Sequence, residues 1–243
     1  MLDPKDLPAL NERFATAHPR DILQWAWDNH GERAAIGTSF QGAGLVLMHI
    51  AKTQQLNFPL FTIDTGLLFP ETAALKEQLE TFLGRPIQNL TPDLSVEQQA
   101  QAHGPELWKR DPDLCCTLRK VLPLRDRLAD LDVWITGLRR EQSSARADVG
   151  IVELYELDQP SSTGTPRTII KLNPLATWKR EQVWEAIQAH QIPYNPLHDQ
   201  GYRSIGCQPC TAKAGTAGAE RAGRWIGFQK TECGIHTFLK ARS

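Results

Sequence analysis

Short apolar runs alternate with amphipathic stretches along the first half of the chain. Pro19–His30 reads as a helix that opens on proline and closes at Gly31. Arg33-Ala-Ala-Ile-Gly37 follows as a strand and breaks into Thr38-Ser-Phe-Gln-Gly-Ala-Gly44, and a helical pattern then runs from Leu45 to Thr53. Phe58–Asp64 is a second strand ending in Asp64-Thr65-Gly66. Pro70–Leu83 is a helix, and Pro86–Leu90 a third strand. Thr91–Asp113 reads as a short helix and loop. Cys115–Leu128 has helical composition, in which Pro123 must start a new turn or impose a kink. Asp132–Gly137 is a fourth strand. Ile151–Leu157 and Arg167–Leu172 are two more around a turn-rich stretch, and Lys179–His190 is a helix with Val183, Trp184 and Ile187 on one face. Strand–helix alternation of this kind predicts parallel βαβ units, an α/β fold with an open parallel sheet flanked by helices. Beyond Ile192 the periodicity fades.

Composition adds limits. A chain of 243 residues that is 41% hydrophobic can bury the core of one generous domain. It holds no apolar run of about 18 residues, so no membrane span is expected. Its first residues, Met-Leu-Asp-Pro-Lys-Asp-Leu, resemble neither a signal nor a transit peptide. A cytoplasmic location with reduced thiols is the expectation. The net charge of −1 is uneven: residues 201–243 carry seven basic and two acidic side chains, a net of +5 that leaves −6 on the first 200. A basic segment on a mildly acidic body suits a small anion, and neither a recognition helix nor the broad basic face of a nucleic-acid binder is present.

In an open parallel sheet, ligands sit beyond the carboxyl ends of the strands. The loop Ser39–Gly44 joins a strand to a helix there and can offer backbone N–H groups to a phosphate, although it is neither GxxxxGK[ST] nor GxGxxG. Asp64-Thr65-Gly66 can meet a ribose or an adenine edge, or serve as a plain turn into a helix. The stretch from Thr136 to Arg146 places Arg139, Arg140 and Arg146 after a strand, where guanidinium forks suit phosphate or sulfate unless Glu141 and Asp148 offset them.

There are five cysteines. Cys207-Gln-Pro-Cys210 is a CxxC, a spacing shared by metal sites and redox disulfides. Cys115 and Cys116 are adjacent, and their diverging side chains fit poorly on one small ion but can reach different irons of a cluster. Together the four supply the thiolates that a 4Fe–4S cluster takes, with zinc as the alternative. Cys233 remains, in Thr231-Glu-Cys-Gly-Ile-His236, with Lys230 and His236 close in sequence. It is either a nucleophile or a free thiol.

Cys115-Cys116, Cys207-x-x-Cys210 and Glu232-Cys-Gly-Ile-His236 together resemble the assimilatory adenylyl-sulfate (APS) reductases within the phosphoadenylyl-sulfate (PAPS) reductase family, from about Arg33 to His236. The resemblance implies an adenine-nucleotide α-hydrolase-like fold, and conversion of APS to sulfite and AMP with thioredoxin as reductant, or glutaredoxin in its place. This would serve sulfate assimilation and cysteine biosynthesis, with PAPS as a further candidate substrate. It implies Cys115, Cys116, Cys207 and Cys210 as ligands of a 4Fe–4S cluster, Cys233 as nucleophile, and Lys120 between cluster and substrate. Ser39 and Gly42 would belong to a modified phosphate loop, which departs from the commoner Ser-Phe-Ser-Gly-Ala-Glu-Asp at Gln41 and Gly44. Asp64, Thr65 and Gly66 would lie at the nucleoside, and Arg146, Arg221, Arg224 and His236 around phosphate and sulfate.

The expected organisation is a nucleotide-binding body, 1–206, and a C-terminal segment, 207–243, with Gly215, Gly218, Gly223 and Gly227 as a hinge that closes over substrate and opens to the thiol donor. Two rival classes stand beside it. An ATP-using adenylyl or sulfur transferase would want a Ser-Gly-Gly-x-Asp-Ser-like loop, and an iron–sulfur sensor would want a nucleic-acid surface. The sequence does not set the oligomeric state, and a homo-oligomer stays open.

Overall fold

A computed structural model of the chain describes residues 2–160, 166–214 and 219–241. Helices α1 (Leu7–Ala15) and α2 (Pro19–His30) precede strand β1 (Ala34–Thr38), helix α3 (Gly42–Thr53), β2 (Leu60–Ile63), α4 (Pro70–Leu83) and β3 (Gln88–Leu90). Short helices α5 (Val96–His103), α6 (Leu107–Arg110) and α7 (Pro112–Cys116) lead through a π-helical turn, Thr117–Val121, into α8 (Leu122–Leu128) and β4 (Val133–Ile135). The hairpin β5 (Val152–Pro160) and β6 (Pro166–Leu172), helix α9 (Arg180–Ala189) and a two-residue strand β7 (Lys240–Ala241) complete the described elements.

The sheet order is β3-β2-β1-β4-β6-β5-β7. The first five strands are parallel, as expected from their alternation with helices, whereas β5 runs antiparallel to both β6 and β7. β1 lies between β2 and β4, so the connections leaving it diverge and open a crevice at its carboxyl end.

Burial follows the two faces of the strands. Ala34, Ile36, Val133, Ile135, Ile170 and Leu172 pack with residues from α1 to α4 and α9, while Ala35, Phe61, Trp134 and Ile169 face the other way against Leu124 and Leu128 of α8 and Leu239. The second face is therefore closed partly by the end of the chain. β7 pairs Ala241 with Tyr155 and Lys240 with Glu156, covering the outer edge of the hairpin. Of the glycines expected to form a hinge, Gly215 and Gly218 lie outside the described residues. Gly223 accepts a 2.8 Å bond from Ala212 N, and a Cβ there would strike the Ala212 carbonyl.

Candidate active site

The loop after β1 is shaped by small residues. Thr38 Oγ1 accepts the amide of Phe40 at 2.9 Å, and Phe40 has a positive φ of 56°. A Cβ on Gly44 would lie 2.6 Å from that same hydroxyl, so glycine is what lets α3 begin this close to the strand. Gln41 clasps the backbone of Ile205, donating to its carbonyl at 3.0 Å and accepting from its amide at 3.2 Å. The two departures from the commoner loop thus have structural jobs: Gly44 gives room, and Gln41 ties the loop to the stretch before Cys207.

Beside this loop, at the carboxyl ends of β1, β2 and β4, is an open space of about 1230 Å³, mouth included. Ser39, Thr65, Lys120, Arg146, Cys207, Arg221, Arg224, Cys233 and His236 all line it, along with Phe61, Trp134 and Gln142. Residues scattered between 39 and 236 are thereby brought to one wall. Three polar atoms on that wall, Trp134 Nε1, Arg221 Nε and His236 Nδ1, are sealed from solvent without a partner.

Gly42, Asp64 and Gly66 fall outside the lining. A Cβ on Gly42 would meet Val183 Cγ1 at 2.9 Å, so this glycine serves the packing of α3 on α9. Asp64 accepts the Gly66 amide at 2.9 Å in a local turn, and Gly66 has φ +68° beside the Arg119 guanidinium. Of the three arginines after β4, only Arg146 reaches the cavity. Arg139 is buried on Glu220 at 2.5 Å, and Arg140 bonds the carbonyl of Val149 at 2.9 Å.

All five cysteines are free thiols. Cys115 and Cys116 end α7, and Cys207 is bridged to Leu68 beside the β2 loop. Cys115, Cys116 and Cys210 each lie within electrostatic reach of Cys207. Among the described residues, no three His, Cys, Asp or Glu side chains group closely enough for a single metal ion. Two adjacent cations of the π-helical turn attend the sulfurs. Arg119, 3% exposed, donates to Thr65 O at 2.5 Å and to Gln99 Oε1 at 3.1 Å. Lys120 faces Cys207, Cys233 and Cys116. Burial works against its charge, but these three sulfurs, as thiolates, outweigh burial and push its pKa above the usual lysine value. For Cys207 burial is likewise overridden: Lys120, the Thr65 hydroxyl at 3.3 Å and Arg224 hold it below the usual thiol value. Burial pushes Cys116 up to about 12 and raises Cys115 and Cys210.

Cys233 sits 9% exposed against Cys116 and Trp225. The residue before it, Glu232, accepts two bonds from Arg146, at 2.8 and 2.6 Å, and one from Arg221 at 3.3 Å. His236 stacks on Trp134 with ring centroids 5.2 Å apart. Desolvation, then Lys171, Arg146 and Arg221, hold it well below the usual histidine pKa, so it is neutral at physiological pH. Sequence reasoning passed over Arg119, Trp134, Trp225 and the acceptor role of Glu232. The last was visible only as part of the Glu232-Cys-Gly-Ile-His236 pattern.

The Phosphoadenosine phosphosulfate reductase domain model matches residues 33–213. The adenosine 5'-phosphosulfate reductase of Salinibacter ruber is 44% identical over 95% of this chain and 88% of that protein. Adenosine 5'-phosphosulfate reductase 2 of Bacillus subtilis is 43% identical over 89% and 88%. Among solved structures, a PAPS reductase from Candida auris in a phosphate complex superposes with a TM-score of 0.72 at 28% identity, over 87% of this chain and 98% of that one. An FMN adenylyltransferase of Candida glabrata shares the fold at 12% identity, with a TM-score of 0.53 over 96% and 78%. With the family model spanning most of the chain and such relatives covering nearly all of it, this protein is an enzyme of the phosphoadenosine phosphosulfate reductase family.

Proposed function

We propose that the protein reduces APS to sulfite and AMP, drawing two electrons from thioredoxin in the cytoplasm, as a step of sulfate assimilation. The observation that carries this reading is the position of Cys233. Its thiol lines the cavity among Lys120, Arg221 and Arg224, with Cys116 packed against it and Cys207 on the same wall. The names of the relatives supply the nucleotide.

The Cys233 thiolate attacks the sulfate sulfur of APS. The bond to the bridging oxygen breaks, its electron pair leaves with AMP, and Cys233 becomes an S-sulfocysteine. Arg221 and Arg224 carry the charge that shifts onto the departing phosphate, and Lys120 offsets that of the attacking sulfur. A thioredoxin thiolate then attacks the Cys233 sulfur and sulfite leaves with the bonding pair. The second thioredoxin thiol resolves the mixed disulfide and regenerates Cys233. Glutaredoxin is the alternative dithiol. In this reading residues 1–206 form the nucleotide-binding body, and 207–243 carry the second cysteine pair, the reacting thiol, Arg221 and Arg224.

Cys115, Cys116, Cys207 and Cys210 fit a 4Fe–4S cluster by donor chemistry: four free thiols, three of them within electrostatic reach of Cys207, with the cations of Arg119 and Lys120 beside them. When bound, the cluster supplies fixed charge and a cross-link between the segments near residues 115 and 210.

The test is anaerobic purification, assay of iron and acid-labile sulfide, and thioredoxin-dependent sulfite formation from APS and from PAPS. Sulfite from APS with close to four irons per chain is the expected outcome. Faster turnover of PAPS would reassign the substrate. Cys233→Ser should keep the cluster absorbance and form no sulfite, and robust residual turnover would remove Cys233 as nucleophile. A full complement of iron in Cys207→Ala would rule out the ligand set.

A further inference from the structure

Resting on the reading above, we propose that Glu232 is a positioning residue, the clamp that holds the Cys233 thiol at the cavity, and that Arg146 acts through Glu232 rather than on the nucleotide. Glu232 immediately precedes Cys233. Its carboxylate takes Arg146 Nε at 2.8 Å and Nη2 at 2.6 Å in a two-pronged pair, and Arg146 Nη1 is committed to Gln142 Oε1 at 2.5 Å. The guanidinium is thus engaged on all three nitrogens by protein groups. Both side chains are largely withdrawn from water, 9% exposed for Arg146 and 12% for Glu232, so neither charge is well solvated without the other.

Further contacts converge on the same carboxylate. Arg221 Nη2 donates to it at 3.3 Å and to Thr231 O at 3.2 Å, and Ser143 Oγ lies 3.5 Å away. The loop carrying Ser143, Gln142 and Arg146 follows β4, whereas Glu232 belongs to the segment that carries the thiol. A fixed fork gripping a carboxylate one residue from the nucleophile sets its reach and angle. Arg224 and Lys120 line the cavity outside these contacts, so the anionic substrate meets cations that the clamp has not consumed.

The experiment uses the cluster-loaded full chain. Glu232→Gln keeps the shape and removes the charge. Cys233 should then be alkylated by iodoacetamide severalfold faster, followed by peptide mapping, with iron content unchanged. Turnover should fall on the order of 10²-fold, the cost of a slightly misplaced reacting group, while the KM for APS barely moves. Glu232→Asp should recover part of the loss, since it restores the charge one methylene short. The double variant Glu232→Gln/Arg146→Gln should be no worse than Arg146→Gln alone. An unchanged alkylation rate would overturn the clamp. So would multiplying effects, with Arg146→Gln raising KM, because Arg146 would then hold the nucleotide itself. A wild-type protein that makes no sulfite would sink the proposed function but leave the alkylation result to judge the clamp.

Discussion

At the scale of single residues, the site is held by close approaches that leave little slack. Gly44→Ala would drive a methyl into Thr38 Oγ1, the acceptor that fixes Phe40. Overpacking of this kind costs about 1–3 kcal/mol. The melting temperature should fall by several degrees, and AMP affinity measured by calorimetry should weaken. His236 has a different signature. Unfolded, it titrates near 6.5. Folded, desolvation and the nearby cations hold it well below that value. Between the two values the unfolded chain binds a proton that the folded chain does not, so this contribution is intact above pH 6.5 and is lost as the pH falls toward the folded value. His236→Gln should flatten the acid limb of a stability–pH curve relative to wild type, as read by thermal melts between pH 7 and pH 5.

The π-helical turn is the decisive element. It joins α7, which ends in Cys115 and Cys116, to α8, whose Leu124 and Leu128 are anchored on the sheet. Pro123, at the second position of α8, has no N–H for the turn before it, and the ladder widens there. Deleting Leu118 should regularise the helix and rotate the cysteine pair by about 100° relative to Lys120. Iron per chain should drop while far-ultraviolet circular dichroism stays near wild type. Sequence patterning located this break at Pro123 but not its form, because a widened turn has no hydrophobic period of its own. Proline-started α2 and α4, the parallel strands and the α9 face were all legible from periodicity. Gly42–Gly44 hid the first turn of α3 because glycines weaken a helical pattern that the β1 loop then enforces. β7 is two residues long and arises from pairing with β5, which no local pattern records.

For the whole molecule, the cavity has a floor made early in the chain and a roof made late. Motifs far apart in sequence could be read as one constellation, yet which wall each residue joined depended on strand order. The partners of Glu232, Arg146 and Arg221, follow from tertiary contact alone. A chain ended at residue 206 should keep parallel-sheet circular dichroism, bind no iron, and raise the fluorescence of a hydrophobic dye, since Trp134, Ile169 and Tyr155 lose the cover of Ile235, Phe238 and Leu239. That roof also sets a timetable. On the ribosome, the sheet through β6 and the first cysteine pair emerge well before Cys207, and Cys233 follows only after the second pair. The strands through β6 and both cysteine pairs are therefore out while the chain still lacks Cys233, Leu239 and β7, so the cavity gains its roof last.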